Sequence, residues 1–189
     1  MGEIFLSASV PVPERGDFYR TADPFLIQLA VRQLVIATIR DWRIVWGGHP
    51  AITPMVWQVC EDLGVRNAGS FTLYQSAFFE GRFPRENQNF EHVVVVDAEA
   101  SREASLQAMR RAMVSRPDLE AAVFVGGMEG VVEEYGMFRE FHPDATVIPL
   151  AATGGAARDL ARSMGPSVAR FDTVNFNSVY RECFGGTGQ

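Results

Sequence analysis

Short apolar runs alternate with stretches of helical periodicity along this chain, and that alternation limits the fold more than any other feature. The runs cover residues 4–10, 43–46, 71–74, 93–96, 121–125 and 146–150. Four valines, Val93 to Val96, make the clearest of them. Between the runs, apolar residues return at helical spacing. In 23–41 they are Phe25, Leu26, Leu29, Ala30, Leu34 and Ile39, with Pro24 suited to a first helical turn. Further helices are predicted over 53–63, 101–115 (capped by Ser101), 129–141 and 156–164. Parallel strands need a crossover, and a helix is the usual one. The expected fold is therefore α/β: a doubly wound, mostly parallel, Rossmann-like sheet with helices on both faces. One domain is expected over 1–184, followed by a flexible tail at 185–189 that begins Gly185-Gly186-Thr187-Gly188.

Composition excludes several classes of function. Seventeen basic and 23 acidic residues leave a net charge of −6, so nucleic acid is not an expected partner. Charges interrupt every apolar run before it could cross a bilayer, so no membrane partner is expected. The start, Met1-Gly2-Glu3-Ile4-Phe5, lacks the basic opening of a signal peptide. Two distant cysteines, Cys60 and Cys183, imply no disulfide framework, and a reducing cytoplasm is the expected location. His49, His92 and His142 lack metal-ligand spacing, so neither metal nor cofactor is expected. Cys60 is expected in the core and His142 at the surface.

In an open parallel sheet, ligands bind beyond the carboxyl ends of the strands. The segments expected there are Ser7-Ala8-Ser9, Gly47-Gly48-His49-Pro50, Gly126-Gly127-Met128-Glu129-Gly130 and Thr153-Gly154-Gly155. The third is the richest: a strand, two glycines and a helix start put bare N–H groups at a point that favours anions. The candidate ligand-binding residues are Ser7, Ala8, Ser9, Gly47, Gly48, His49, Gly126, Gly127, Met128, Glu129, Gly130, Thr153 and Gly154. The alternative is that each glycine only makes a turn. A complete Gly-x-Gly-x-x-Gly or Gly-Lys-Ser/Thr is absent.

Arg110-Arg111-Ala112, followed by Gly126-Gly127 and Glu134, resembles the Arg-Lys-Ala … Pro-Gly-Gly-x-Gly-Thr-x-x-Glu signature of the "lonely guy" phosphoribohydrolases. Ser7-Ala8-Ser9 and Val45-Trp46-Gly47-Gly48 resemble that family's earlier loops. The departures point to a divergent member of the wider Smf/DprA–lonely-guy (SLOG) superfamily. Val125 replaces the proline, Glu129 looks inserted, Val131 replaces the threonine, and Ala51-Ile52-Thr53-Pro54 replaces a glycine. The resemblance implies a nucleotide or NAD-derived small-molecule partner, a homodimer or higher homo-oligomer, and a setting in bacterial defence. It also implies roles for side chains. Arg110 would pair with phosphate or orient ribose, and Glu134 would meet ribose or developing positive charge. Glu133 is a possible substitute for Glu134.

Three functions follow as expectations. The preferred one is binding or sensing of an ADP-ribose-like, cyclic or mononucleotide ligand. The alternative is an N-glycosidase or phosphoribohydrolase with Arg110, Glu134 and Glu133 as catalytic residues. The third is a non-catalytic interaction module. These residues also have a plain reading: Arg110 as a solvated helix residue, and Glu133 and Glu134 as acidic residues that favour the N-terminal part of their helix. The stretch 78–85, aromatics beside arginines, reads as a base-stacking lid or as an ordinary surface loop, the latter slightly favoured.

Overall fold

The computed structural model describes residues 1–65 and 69–185. Six strands form one sheet: β1 (Glu3–Ser9), β2 (Arg43–Gly47), β3 (Phe71–Ser76), β4 (His92–Val96), β5 (Leu119–Gly126) and β6 (Thr146–Pro149). Their order is β4-β3-β2-β1-β5-β6, and every pairing is parallel. The sheet is thus wholly parallel rather than mostly so. The chain builds outward from β1 to β4, then returns to lay β5 against the other side of β1. That reversal opens a crevice beyond the carboxyl ends of β1 and β5.

The helices are α1 (Pro24–Thr38), α2 (Thr53–Asp62), α3 (Arg102–Val114), α4 (Glu129–Phe141), α5 (Gly155–Met164) and α6 (Phe176–Phe184). Side chains alternate across each strand, which divides the core in two. Ile4 and Leu6 of β1 join α1, α2 and α6 on one face; Phe5 joins α3 and α4 on the other. Caps set the helix starts. Asp23 accepts from the Phe25 and Leu26 amides, and Ser101 accepts from the Ala104 amide at 3.1 Å.

Three strands differ from the sequence reading in ways that matter. β3 continues through Gln75 and Ser76, both buried, where the run was expected to end at Tyr74. Both lie where the strand runs out at the carboxyl edge of the sheet. β5 is longer at both ends, and β1 stops at Ser9. Helix α6 was not foreseen. Phe176, Val179, Tyr180 and Phe184 line its buried face, and Tyr180 donates its hydroxyl to the Ala30 carbonyl of α1 at 3.0 Å. Cys60 lies in the core as expected, where burial pushes its thiol up to about 11. His142 is half-buried rather than on the surface; its Nε2–H donates to the Val114 carbonyl at 2.7 Å. The expected tail lies outside the described residues from 186 onward. Among the described residues, no helix is long and apolar enough to cross a membrane.

Candidate functional site

A cavity of about 360 Å³ opens at the carboxyl edge of β1, β2, β3 and β5, roofed by α3. That size is within the range of small-molecule sites. Its wall takes Ala8 and Ser9 from β1, and Gly47, Gly48, His49 and Pro50 from the β2 end. Arg102 and Arg110 come from α3, and Met128, Gly130, Val131 and Glu134 from the start of α4. A connecting loop adds Phe79, Arg82, Phe83 and Pro84.

The start of α4 explains one end. Gly126 and Gly127 take left-handed backbone, φ 57° and 82°, and turn the chain sharply out of β5. No side chain caps the helix at Met128. The Val131 amide turns back to the Met128 carbonyl at 2.9 Å, and the first turn carries the positive end of the helix dipole. Arg110 reaches the same point from α3. Its Nη2 lies where a Cβ on Gly130 would stand, 2.6 Å away, so only glycine there leaves the guanidinium its seat. Arg110 is only 12% exposed along its side chain. Its Nη1 pairs with Glu133 Oε2, and its Nε donates to Glu134 Oε1 at 3.4 Å.

Glu134 is held from two sides. The Ser7 hydroxyl donates to Glu134 Oε2 at 2.5 Å, opposite the Arg110 contact. Burial nevertheless raises its pKa, outweighing the Ser7 hydrogen bond and the Arg110 charge, while Glu133 adds repulsion. A raised carboxyl pKa favours folding in acid and opposes it above. This contribution is whole below the unfolded glutamate value of about 4.3 and disappears as pH climbs through the folded one. Glu134→Gln should therefore remove part of the alkaline decline in stability. Melting temperatures across about pH 4 to 9 test this; parallel curves for both proteins would contradict it. His49 is shifted the other way. Burial first, and the charge of Arg15 second, lower its pKa.

The charged side chains among the lining residues are Arg15, Arg82, Arg102, Arg110 and Glu134. Four guanidiniums thus line the cavity of a chain whose net charge is −6, three of them beside carboxylates: Arg15 with Glu129, Arg102 with Glu103, and Arg110 with Glu133 and Glu134.

Of the residues expected at the site, Ala8, Ser9, Gly47, Gly48, His49, Met128, Gly130, Arg110 and Glu134 share this wall. Ser7 stands behind Glu134, and Glu133 flanks Arg110. The Glu129 carboxylate lies 3.9 Å from Arg15. Gly126, Gly127, Thr153 and Gly154 are not among the lining residues. Their turns pack on each other: the Gly126 amide donates to Thr153 Oγ1 at 2.8 Å, and the Ala156 amide donates to the Gly127 carbonyl at 2.9 Å. Arg15, Arg102 and Gln75 line the cavity without having been foreseen; the aromatic stretch did flag Arg82 and Phe83. Among the described residues, no group of three or more His, Cys, Asp or Glu side chains is placed to hold a metal ion.

A family model described as the SLOG cluster3 family matches residues 17–184. The chain belongs to that family, and so to the SLOG superfamily. It is similar in fold to a solved structure titled "X-ray structure of TM1055", a Northeast Structural Genomics Consortium target. The TM-score is 0.57 at 13% identity, covering 86% of this chain and 81% of that one. The comparison with curated proteins finds no match.

Proposed function

We propose that this chain binds a nucleotide-derived small molecule carrying more than one phosphate, of the ADP-ribose kind, in the cavity beneath α3. The supporting observation is the convergence of four arginines and an uncapped helix N-terminus on one crevice of an acidic protein. A single phosphate would be matched by Arg110 and the start of α4. Arg15, Arg82 and Arg102 provide for further anionic groups. Arginine suits this task because its planar fork meets two phosphate oxygens at once. Membership of the SLOG superfamily is consistent with a nucleotide ligand.

Ligand that binds only the folded chain must stabilise it. At a hundred times its Kd the gain is about 2.7 kcal/mol. For a chain of this size that is a rise in Tm of roughly 5–10 °C. A thermal-shift series with ADP-ribose, cyclic ADP-ribose, ADP and AMP checks it. No rise with any of them would count against the proposal.

A second reading is hydrolysis of the N-glycosidic bond. It is favoured by Glu134, a largely buried carboxylate with a perturbed pKa, fixed by Ser7 and Arg110 inside the cleft. Such a group can steady positive charge as a sugar–base bond breaks. Free base released from AMP or NAD, and abolished by Glu134→Gln, would support it.

A further inference from the structure

The cavity is chemically two-ended. One end holds Arg110 and the start of α4; the other, at the ends of β2 and β3, holds Gln75, Gly48, Phe79, Phe83 and Pro84, together with Arg82 of the same loop. We infer that this second end takes the nucleobase and that the Gln75 amide reads its hydrogen-bonding edge. The inference rests on the nucleotide reading above and adds to it the residue that recognises the base.

Gln75 is an odd residue for its position. It is the penultimate residue of β3, only 4% exposed, and its Nε2 finds no hydrogen-bond acceptor among the described residues. Buried polar groups are almost always paired, so an orphaned amide in a cavity wall calls for a partner that the wall itself lacks. A glutamine amide offers a donor beside an acceptor, and base edges offer the complement. The terminal torsion of glutamine is soft and roughly two-fold, so the amide can turn either atom to the ligand.

The neighbouring chain is shaped around this amide. The Gly48 amide donates to the Tyr74 carbonyl at 2.8 Å, which fixes the β2 end against β3. A Cβ on Gly48 would overlap the Gln75 amide nitrogen, with the amide carbon 2.6 Å away. Gly48 does not need left-handed backbone; its missing side chain is what leaves the amide room. Phe79 and Phe83 line the same end, and aromatic side chains can stack a base. The alternative is that Gln75 only fills space, in which case it would not distinguish one ligand from another.

Isothermal titration separates these. The probes are ADP, GDP, CDP and UDP, with inorganic pyrophosphate and ribose 5-phosphate as base-free comparators. The wild-type chain should bind at least one of the four about tenfold more tightly than either comparator. Gln75→Ala should reduce that preference to about threefold or less, leaving pyrophosphate binding unchanged. Gly48→Ala, which displaces the amide without removing it, should do the same alone and add nothing in the Gln75→Ala background. A preference that survives Gln75→Ala overturns the inference. Equal wild-type affinity for all probes overturns it too, while leaving the phosphate site intact. Failure of the wild-type chain to bind any probe removes the nucleotide reading along with it.

Discussion

Arg110→Ala is expected to weaken binding of ADP-ribose by roughly a hundredfold, with the fold intact. The size follows from where the guanidinium lies. It is 12% exposed, seated over Gly130 at the mouth of α4, and gripped by Glu133 and Glu134. A charge held in so little water acts on a phosphate with less screening than a surface charge does. Its truncation also leaves Glu134 without its cation, and Glu134 then repels the ligand. Arg110→Lys keeps the charge but loses the fork, so it should recover only part of the affinity. Titration calorimetry on the three proteins reads the effect. Binding of Arg110→Ala within about threefold of wild type would mean that the ligand does not touch this end of the cavity.

Gly154→Ala is expected to do the opposite: a large loss of stability through a turn that does not line the cavity. Gly154 has φ 71°, a backbone conformation that an alanine adopts only under strain. The added Cβ would also overlap the carbonyl oxygen of Thr21, with the Ala22 Cα 2.7 Å away. These are backbone atoms and cannot swing aside. The Asp23 amide donates to the Thr153 carbonyl at 3.2 Å and the Gly155 amide to Thr21 Oγ1 at 3.0 Å, so the two segments are tied together. Strain and overlap together should cost about 3 kcal/mol or more, or roughly 10 °C in Tm. Urea unfolding of wild type and variant measures it. A loss below about 0.5 kcal/mol would contradict the packing described here.

These two substitutions show why the fold was more legible than the site. A strand buried on both faces must be apolar, so 121–125 and 146–150 declared themselves, and the helices between them followed from spacing. A glycine pair carries less information. Gly47-Gly48 ends on the cavity wall, whereas Gly126-Gly127 and Gly154-Gly155 turn the chain and pack on each other. Both needs are met by the absence of a Cβ, and the sequence looks the same in either case. Arg15, Arg82 and Arg102 come from three separate segments, and only folding brings them to one cleft. Gln75 falls just past the apolar run that ends at Tyr74; it belongs to β3, where burial makes its polarity informative. The face of α6 does have helical spacing in Phe176, Val179, Tyr180 and Phe184, and Asn175 caps it by accepting from the Ser178 amide at 3.2 Å. Arg110 and Glu134 stand out only through the resemblance, since Arg102 and Arg111 share the helix of Arg110.

The most direct measurement is a crystal structure after soaking with ADP-ribose. Phosphate density is expected against Arg110 and the first turn of α4, with the adenine lying toward Gln75 and Phe83. Density for the ligand elsewhere, with the cavity beneath α3 filled only by solvent, would contradict it.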